Sequence, residues 1–152
     1  MFVKQNAIKF LNSLNGMPLL YALKSPDTEL YDFGFGELVE TVNRCGRQKK
    51  IATYTLHVLC RFKVIARGPE HKVDKYYEDT PSEMFHSEIN RLLGLTVRRV
   101  ALSDKNDLWL DFGDYWIAFV TFEDGEESWR LFTINDDLPH LVASNSWLDF
   151  SN

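Results

Sequence analysis

From Thr53 to Arg67 the chain reads TYTLHVLCRFKVIAR, the longest run that alternates with period two. Tyr54, Leu56, Val58, Cys60, Phe62, Val64 and Ala66 fall on one side; Thr53, Thr55, His57, Leu59, Arg61, Lys63, Ile65 and Arg67 fall on the other. Successive strand side chains point to opposite faces, so the pattern predicts one long β-strand. Its apolar face turns to a core, and its mostly polar, basic face turns to water or lines a cleft.

Around this strand the other patterns are shorter. Val3, Ala7, Phe10, Leu11 and Leu14 line one side of a helix, which Asn15-Gly16 stops and Pro18 keeps from resuming. LLYAL (Leu19 to Leu23), the turn cluster Ser25-Pro26-Asp27-Thr28 and ELYDFGF (Glu29 to Phe35) predict a β-hairpin. Gly34 and Gly36 in FGFG mark a bulge or a close backbone approach, and the third glycine of a phosphate-binding G-x-G-x-x-G is missing. ELVETV (Glu37 to Val42) fits a strand or a helical turn, and NRCGRQKK (Asn43 to Lys50) reads as a loop. Thr80, Pro81 and Glu83 form a capped helix start and Gly94 stands past its end, with Phe85, Ile89, Leu92 and Leu93 as the buried stripe.

The last third is nearly all strand. LTVRRVALS, LWLDF, YWIAFVTF, SWRLFTI and HLVAS are separated by short acidic or glycine-containing turns, and short links join antiparallel neighbours. The expectation is therefore one α+β domain over residues 1–152. It would be a mainly antiparallel twisted sheet, a β-meander in its C-terminal half, with helices near residues 3–14 and 81–93 packed on it.

Composition adds limits. With 152 residues, 45% hydrophobic and 26% charged, the chain suits a single globular domain with a sizeable core. No apolar run approaches the roughly 20 residues of a membrane helix, and MFVKQNAIKFLNSL lacks a signal-peptide core, so a cytoplasmic protein with no membrane partner is expected. Two cysteines are too few for a disulfide framework.

The net charge of −5 hides a division. Arg44 to Lys75 holds nine Lys or Arg against Glu70 and Asp74, whereas Asp104 to Asn152 holds eleven Asp or Glu against Lys105 and Arg130. Such segregation bears on partners and encounter rates. The simplest reading is that the two regions neighbour each other and partly neutralise.

YTLHVLCRFKVI, NDLWLDFGDYWIAFVTF, ESWRLF and PHLVAS, in this order, resemble a family of small uncharacterised bacterial proteins with an LH-x-x-C strand and an acidic, aromatic meander. The resemblance covers roughly residues 53–145, with Leu59 and Phe62 departing from the family's usual polar or Trp residues. It implies an α+β domain and no assigned activity. By analogy, some small bacterial domains of this build resemble immunity proteins, which neutralise a toxin by binding it.

Catalytic signatures are missing. There is no G-x-S-x-G, G-K-[ST] or H-E-x-x-H, and the histidines and cysteines lack zinc spacing, so no metal, no cofactor and no catalytic residue is implied. His57 and Cys60, three apart on a strand, point to opposite faces. Cys45 sits between Arg44 and Arg47, which favours its thiolate and makes it the candidate reactive thiol, against the plainer reading of an incidental surface thiol. The acids at turns beside tryptophans evoke a glycosidase pair, but exposed turn carboxylates are poorly placed to act as a general acid.

A non-catalytic, protein-binding role is thus expected, with an immunity-type neutralisation of a basic partner as the model. Its surface would be Trp109, Asp111, Asp114, Glu126 and Glu127. The alternative is a small anionic ligand, or an enzyme's substrate, on the basic face of the central strand, held by His57, Arg61, Lys63 and Arg67. Nucleic acid is not the expected partner and ranks below protein binding, because Tyr54 and Phe62 face the core instead of interleaving with the basic residues.

Overall fold

In the computed structural model, which describes residues 2–26, 28, 30–66, 75, 76, 89–135 and 137–151, the long alternating run is two strands in two different sheets. The chain opens with helix α1 (Phe2–Leu11) and a 3-10 turn (Asn12–Leu14). There follow β1 (Leu19–Lys24), β2 (Tyr31–Val42), β3 (Gln48–Val58), β4 (Arg61–Ala66), β5 (Lys75–Tyr76), β6 (Arg99–Leu102), β7 (Leu108–Asp111), β8 (Tyr115–Val120), β9 (Trp129–Thr133), β10 (His140–Ala143) and β11 (Leu148–Ser151). One sheet has the order β1-β2-β3-β9-β10-β11 and the other β5-β4-β8-β7-β6, and every pairing is antiparallel.

The two sheets share one bent ribbon. β3 pairs with β9 in the first sheet, and their continuations β4 and β8 pair in the second. The bend falls at Leu59 and Cys60, whose N–H groups both donate to the carbonyl of Ser128, at 2.9 and 3.2 Å. Two donors meeting on one acceptor end the regular ladder. Alternation nevertheless survives the corner: Leu56, Val58, Cys60, Phe62 and Val64 are all buried, as expected, while Leu59 is exposed on the convex side. A strand that turns a corner with its parity intact keeps one inner face for both sheets, the arrangement of strands that switch between packed sheets.

That inner face is aromatic. Phe33 of β2 meets Phe62 of β4 edge-on at 5.2 Å and Phe119 of β8 at 5.3 Å, and Tyr31 meets Phe62 at 5.0 Å. Such pairs contribute about 0.5–1.5 kcal/mol each beyond the area they bury. Trp129 lies in the same core and donates its indole N–H to the carbonyl of Asn106 at 2.9 Å.

These findings overturn the α+β expectation. Among the described residues the fold is mostly antiparallel β in two sheets, with α1 as a short helix, and is not a single sheet with helices packed on it. Ala7, Leu11 and Leu14 are buried, but α1 lies along β11 and β6, the edge strands of the two sheets, and closes the side between them. Val3 is exposed, unlike its expected place in the stripe. The helix expected near 81–93 falls mostly outside the described residues; at its end Ile89 and Leu92 are buried and Leu93 is exposed. The meander is also divided: β6-β7-β8 belongs to one sheet and β9-β10-β11 to the other, because the link from Thr121 to Ser128 crosses between sheets.

ELVETV is strand. It extends β2 far past the sheet, so that Leu38–Val42 pair only with Gln48–Ala52 and the two form a projecting arm. The Asn43 side chain accepts from the N–H groups of Cys45 (3.0 Å) and Arg47 (2.9 Å) and shapes its tip. At the arm's root the register shifts between Phe35 and Leu38, where Gly36 takes φ +98°, a conformation that side chains rarely adopt. Gly34 serves the other purpose expected of FGFG, close approach: a Cβ there would overlap the ring of Tyr21 from β1.

Candidate functional site

Because Gly34 has no side chain, Tyr21 lies across β2 and its hydroxyl accepts a long hydrogen bond from the N–H of Ala52, at 3.4 Å. On the outer face of the six-stranded sheet this places Tyr21, Thr55 and Phe132 in one cross-strand row, with Gly34 opposite both Tyr21 and Thr55. The next row holds Asp32, His57 and Arg130. Between them and the root of the arm opens a cleft of about 450 Å³. Lys49, Lys50 and Ile51 line its arm side, and Asp32 and His57 its other end.

The polar groups here are tied together in a definite way. His57 Nε2 is 2.9 Å from Asp32 Oδ1, an oxygen closed to solvent. The two are in contact without an aligned N–H···O hydrogen bond, so the attraction is chiefly that of close charge or dipole, at a half-exposed site where water screens it. The His57 ring stands edge-on to Phe132 at 4.6 Å, and Phe132 stacks on His140 at the same separation. Arg130 contacts His140 Nδ1 at 3.1 Å and grips Glu127 with two bonds of 2.7 and 3.2 Å. This fork-on-carboxylate geometry holds the guanidinium in place. Thr55 differs: it is only 9% exposed, it lines the cleft, and among the described residues its hydroxyl makes no hydrogen bond.

The residues expected to form a basic ligand site do not converge. His57 precedes the corner and Arg61 and Lys63 follow it, so side chains on the convex side splay apart. Arg61 lines a separate cavity of about 430 Å³ with Thr121, Phe122, Glu123 and Asp124. Part of the basic segment thus meets part of the acidic one. Arg67 lies outside the described residues.

The acidic, aromatic patch is likewise divided. Asp111 and Asp114 flank one end of β8, whereas Glu126 and Glu127 lie beyond the other end, in the link to β9. Asp111 is buried and accepts from the N–H of Gly113 at 2.8 Å, with Arg99 Nε at 3.9 Å. Glu127 is engaged by Arg130, while Asp114 and Glu126 are exposed. Trp109 is half-buried against Trp116 at 6.2 Å, and Trp116 carries the guanidinium of Arg99 over its ring at 5.1 Å. Cys45 is exposed at the tip of the arm, and Cys60 is buried in the core.

Tyr21, Thr55, Phe132 and Lys49 and Lys50 as cleft residues were missed in the sequence. The available signal was FGFG, which marks a place where something lies against the backbone, without saying what. Among the described residues no three of His, Cys, Asp and Glu gather to hold a metal ion, and no helix is long and apolar enough to cross a membrane. The site and the fold together define the class: an antiparallel β domain with a projecting basic arm and a cleft at its root. Comparison with protein-family models, with curated proteins and with solved structures gives no significant match.

Proposed function

We propose that this protein is a non-catalytic binding domain whose partner is another protein, and that the arm of β2 and β3 is the surface that meets it. The supporting observation is the arm's exposed apolar and basic character. Leu38 and Val42 are 50% and 65% exposed, beside Arg44, Arg47, Lys49 and Lys50, on a chain whose net charge is −5. Exposed apolar side chains among charges, here Arg44, Arg47, Lys49 and Lys50 against Glu37 and Glu40, are the composition of an interaction surface with a positive balance. The partner that fits is acidic, with an apolar recess to take Leu38 and Val42. The basic partner of the immunity-type analogy loses support, because its acidic patch is split between the two ends of β8.

Cys45 gives the test. A maleimide photocrosslinker attached there, with Cys60 buried, is activated in lysate of the source cells and adducts are identified by mass spectrometry. A discrete adduct is expected, lost when Arg44 and Arg47 are changed to Glu or Leu38 and Val42 to Ser, and kept when Asp124 and Glu126 are changed to Lys. An adduct indifferent to the arm variants refutes the assignment of the arm.

A further inference from the structure

We infer that the cleft at the root of the arm binds a small molecule with an aromatic ring at one end and a phosphate or carboxylate at the other, about the size of a mononucleotide. The inference goes beyond the protein partner and does not depend on it. Four observations carry it. The cleft's volume of about 450 Å³ lies within the roughly 300–1,000 Å³ of small-molecule sites, which combine apolar walls with a few polar groups. Its walls include the rings of Tyr21 and Phe132, on either side of Thr55 in the cross-strand row, a spacing that gives a flat ring two aromatic neighbours.

The charges are ordered along the cleft. Lys49, which shares the strand parity of Thr55 and His57, stands toward the arm, where an anionic group would be drawn, and Asp32 stands with His57 at the far end, where an anion would be repelled. A ligand with one charged end therefore has one preferred direction. The fourth observation is Thr55, a residue only 9% exposed that lines the cleft and whose hydroxyl has no hydrogen-bond partner among the described residues. A hydroxyl without a protein partner on a cleft wall is available both to donate to and to accept from a polar ligand atom.

The same chemistry could reach the cleft as a nucleotide or as an aromatic carboxylate, and the probes separate the two. Full-length protein labelled with nitrogen-15 is titrated with adenosine monophosphate, 3-phenylpropanoate, adenosine and inorganic phosphate, while amide shifts are followed. At least one of the first two is expected to move Gly34, Thr55, His57 and Phe132, and to bind at least about tenfold more tightly than adenosine or phosphate, the ratio that a single lost charge contact produces. Lys49→Gln with Lys50→Gln should weaken that binding severalfold. Thr55→Val should weaken it too while leaving the amide spectrum otherwise native, and Phe132→Leu tests the ring wall separately should either variant lose its fold. No shifts in the cleft at millimolar probe overturn the inference. So do shifts as large at Arg44 and Arg47 as at Thr55, which would be adsorption to the basic tip, and so does equal binding by the lysine variants. None of these outcomes alters the crosslinking result at Cys45.

Discussion

Phe62→Ala is the sharpest probe of the shared inner face. Phe62 is fully buried in β4 and touches rings from both sheets: Tyr31 at 5.0 Å, Phe33 at 5.2 Å and Phe119 at 5.7 Å. Truncating a buried Phe costs about 3–5 kcal/mol, lost transfer energy plus the cavity left behind. Three ring contacts, each worth about 0.5–1.5 kcal/mol, place this site in the upper half of that range. The expected loss is about 4–5 kcal/mol, a large part of the roughly 5–15 kcal/mol that holds a domain folded. For a chain of this length each kcal/mol lowers Tm by about 2–4 °C, so a fall of about 8–20 °C is expected. Urea unfolding followed by tryptophan fluorescence, to which buried Trp129 contributes, should show a lower midpoint with an unchanged slope. Leu59→Ala, three residues earlier but on the convex side, is the control and should cost less than about 1 kcal/mol. A loss below about 2 kcal/mol for Phe62→Ala, or equal losses for both, would refute a common core for the two sheets.

Gly34→Ala forces the Tyr21 ring away from β2 and should destabilise by about 1–3 kcal/mol, with a change in near-ultraviolet circular dichroism; an unchanged spectrum would mean that Tyr21 does not lie there. Ser128→Ala removes the hydroxyl that accepts from Phe122 N–H at 2.9 Å, leaving a half-buried donor unpaired, and should cost about 1–3 kcal/mol in denaturant unfolding. A neutral result would show that the corner does not need that bond. With a chromogenic disulfide reagent Cys45 should react at once and Cys60 only as the protein unfolds; two fast phases would place Cys60 outside the core.

The sequence was most legible where parity alone decides. Tyr54 to Val64 were assigned to the inner side correctly, because a strand keeps its alternation through a corner. The same persistence hid the corner. Nothing near Leu59 or Cys60 announces a break that is made by the carbonyl of Ser128, far along the chain. The two sets of expected site residues are dispersed for related reasons. His57, Arg61 and Lys63 share a parity but not a direction once the strand bends, and Asp111 and Glu126 share a segment but are held apart by the length of β8. ELVETV was open between helix and strand because its alternation is short. Its pairing with Gln48–Ala52, which no local pattern fixes, decided the matter and turned a supposed loop into an arm. Tyr21 read as an ordinary strand residue, and only its position over Gly34 makes it a cleft wall.

The bent ribbon also governs how the molecule comes apart. Since β3 runs on into β4 and β8 leads through one link into β9, either sheet loses a central pair of strands if the other melts. The two sheets should therefore unfold as one cooperative unit, with similar hydrogen-exchange protection at Leu56 and Phe62 on either side of the bend. The arm stands apart from this unit, because Leu38–Val42 and Gln48–Ala52 find ladder partners only in each other. Its amides should exchange long before those of the ribbon, so that the segment richest in positive charge can open and reclose while the body beneath it stays intact.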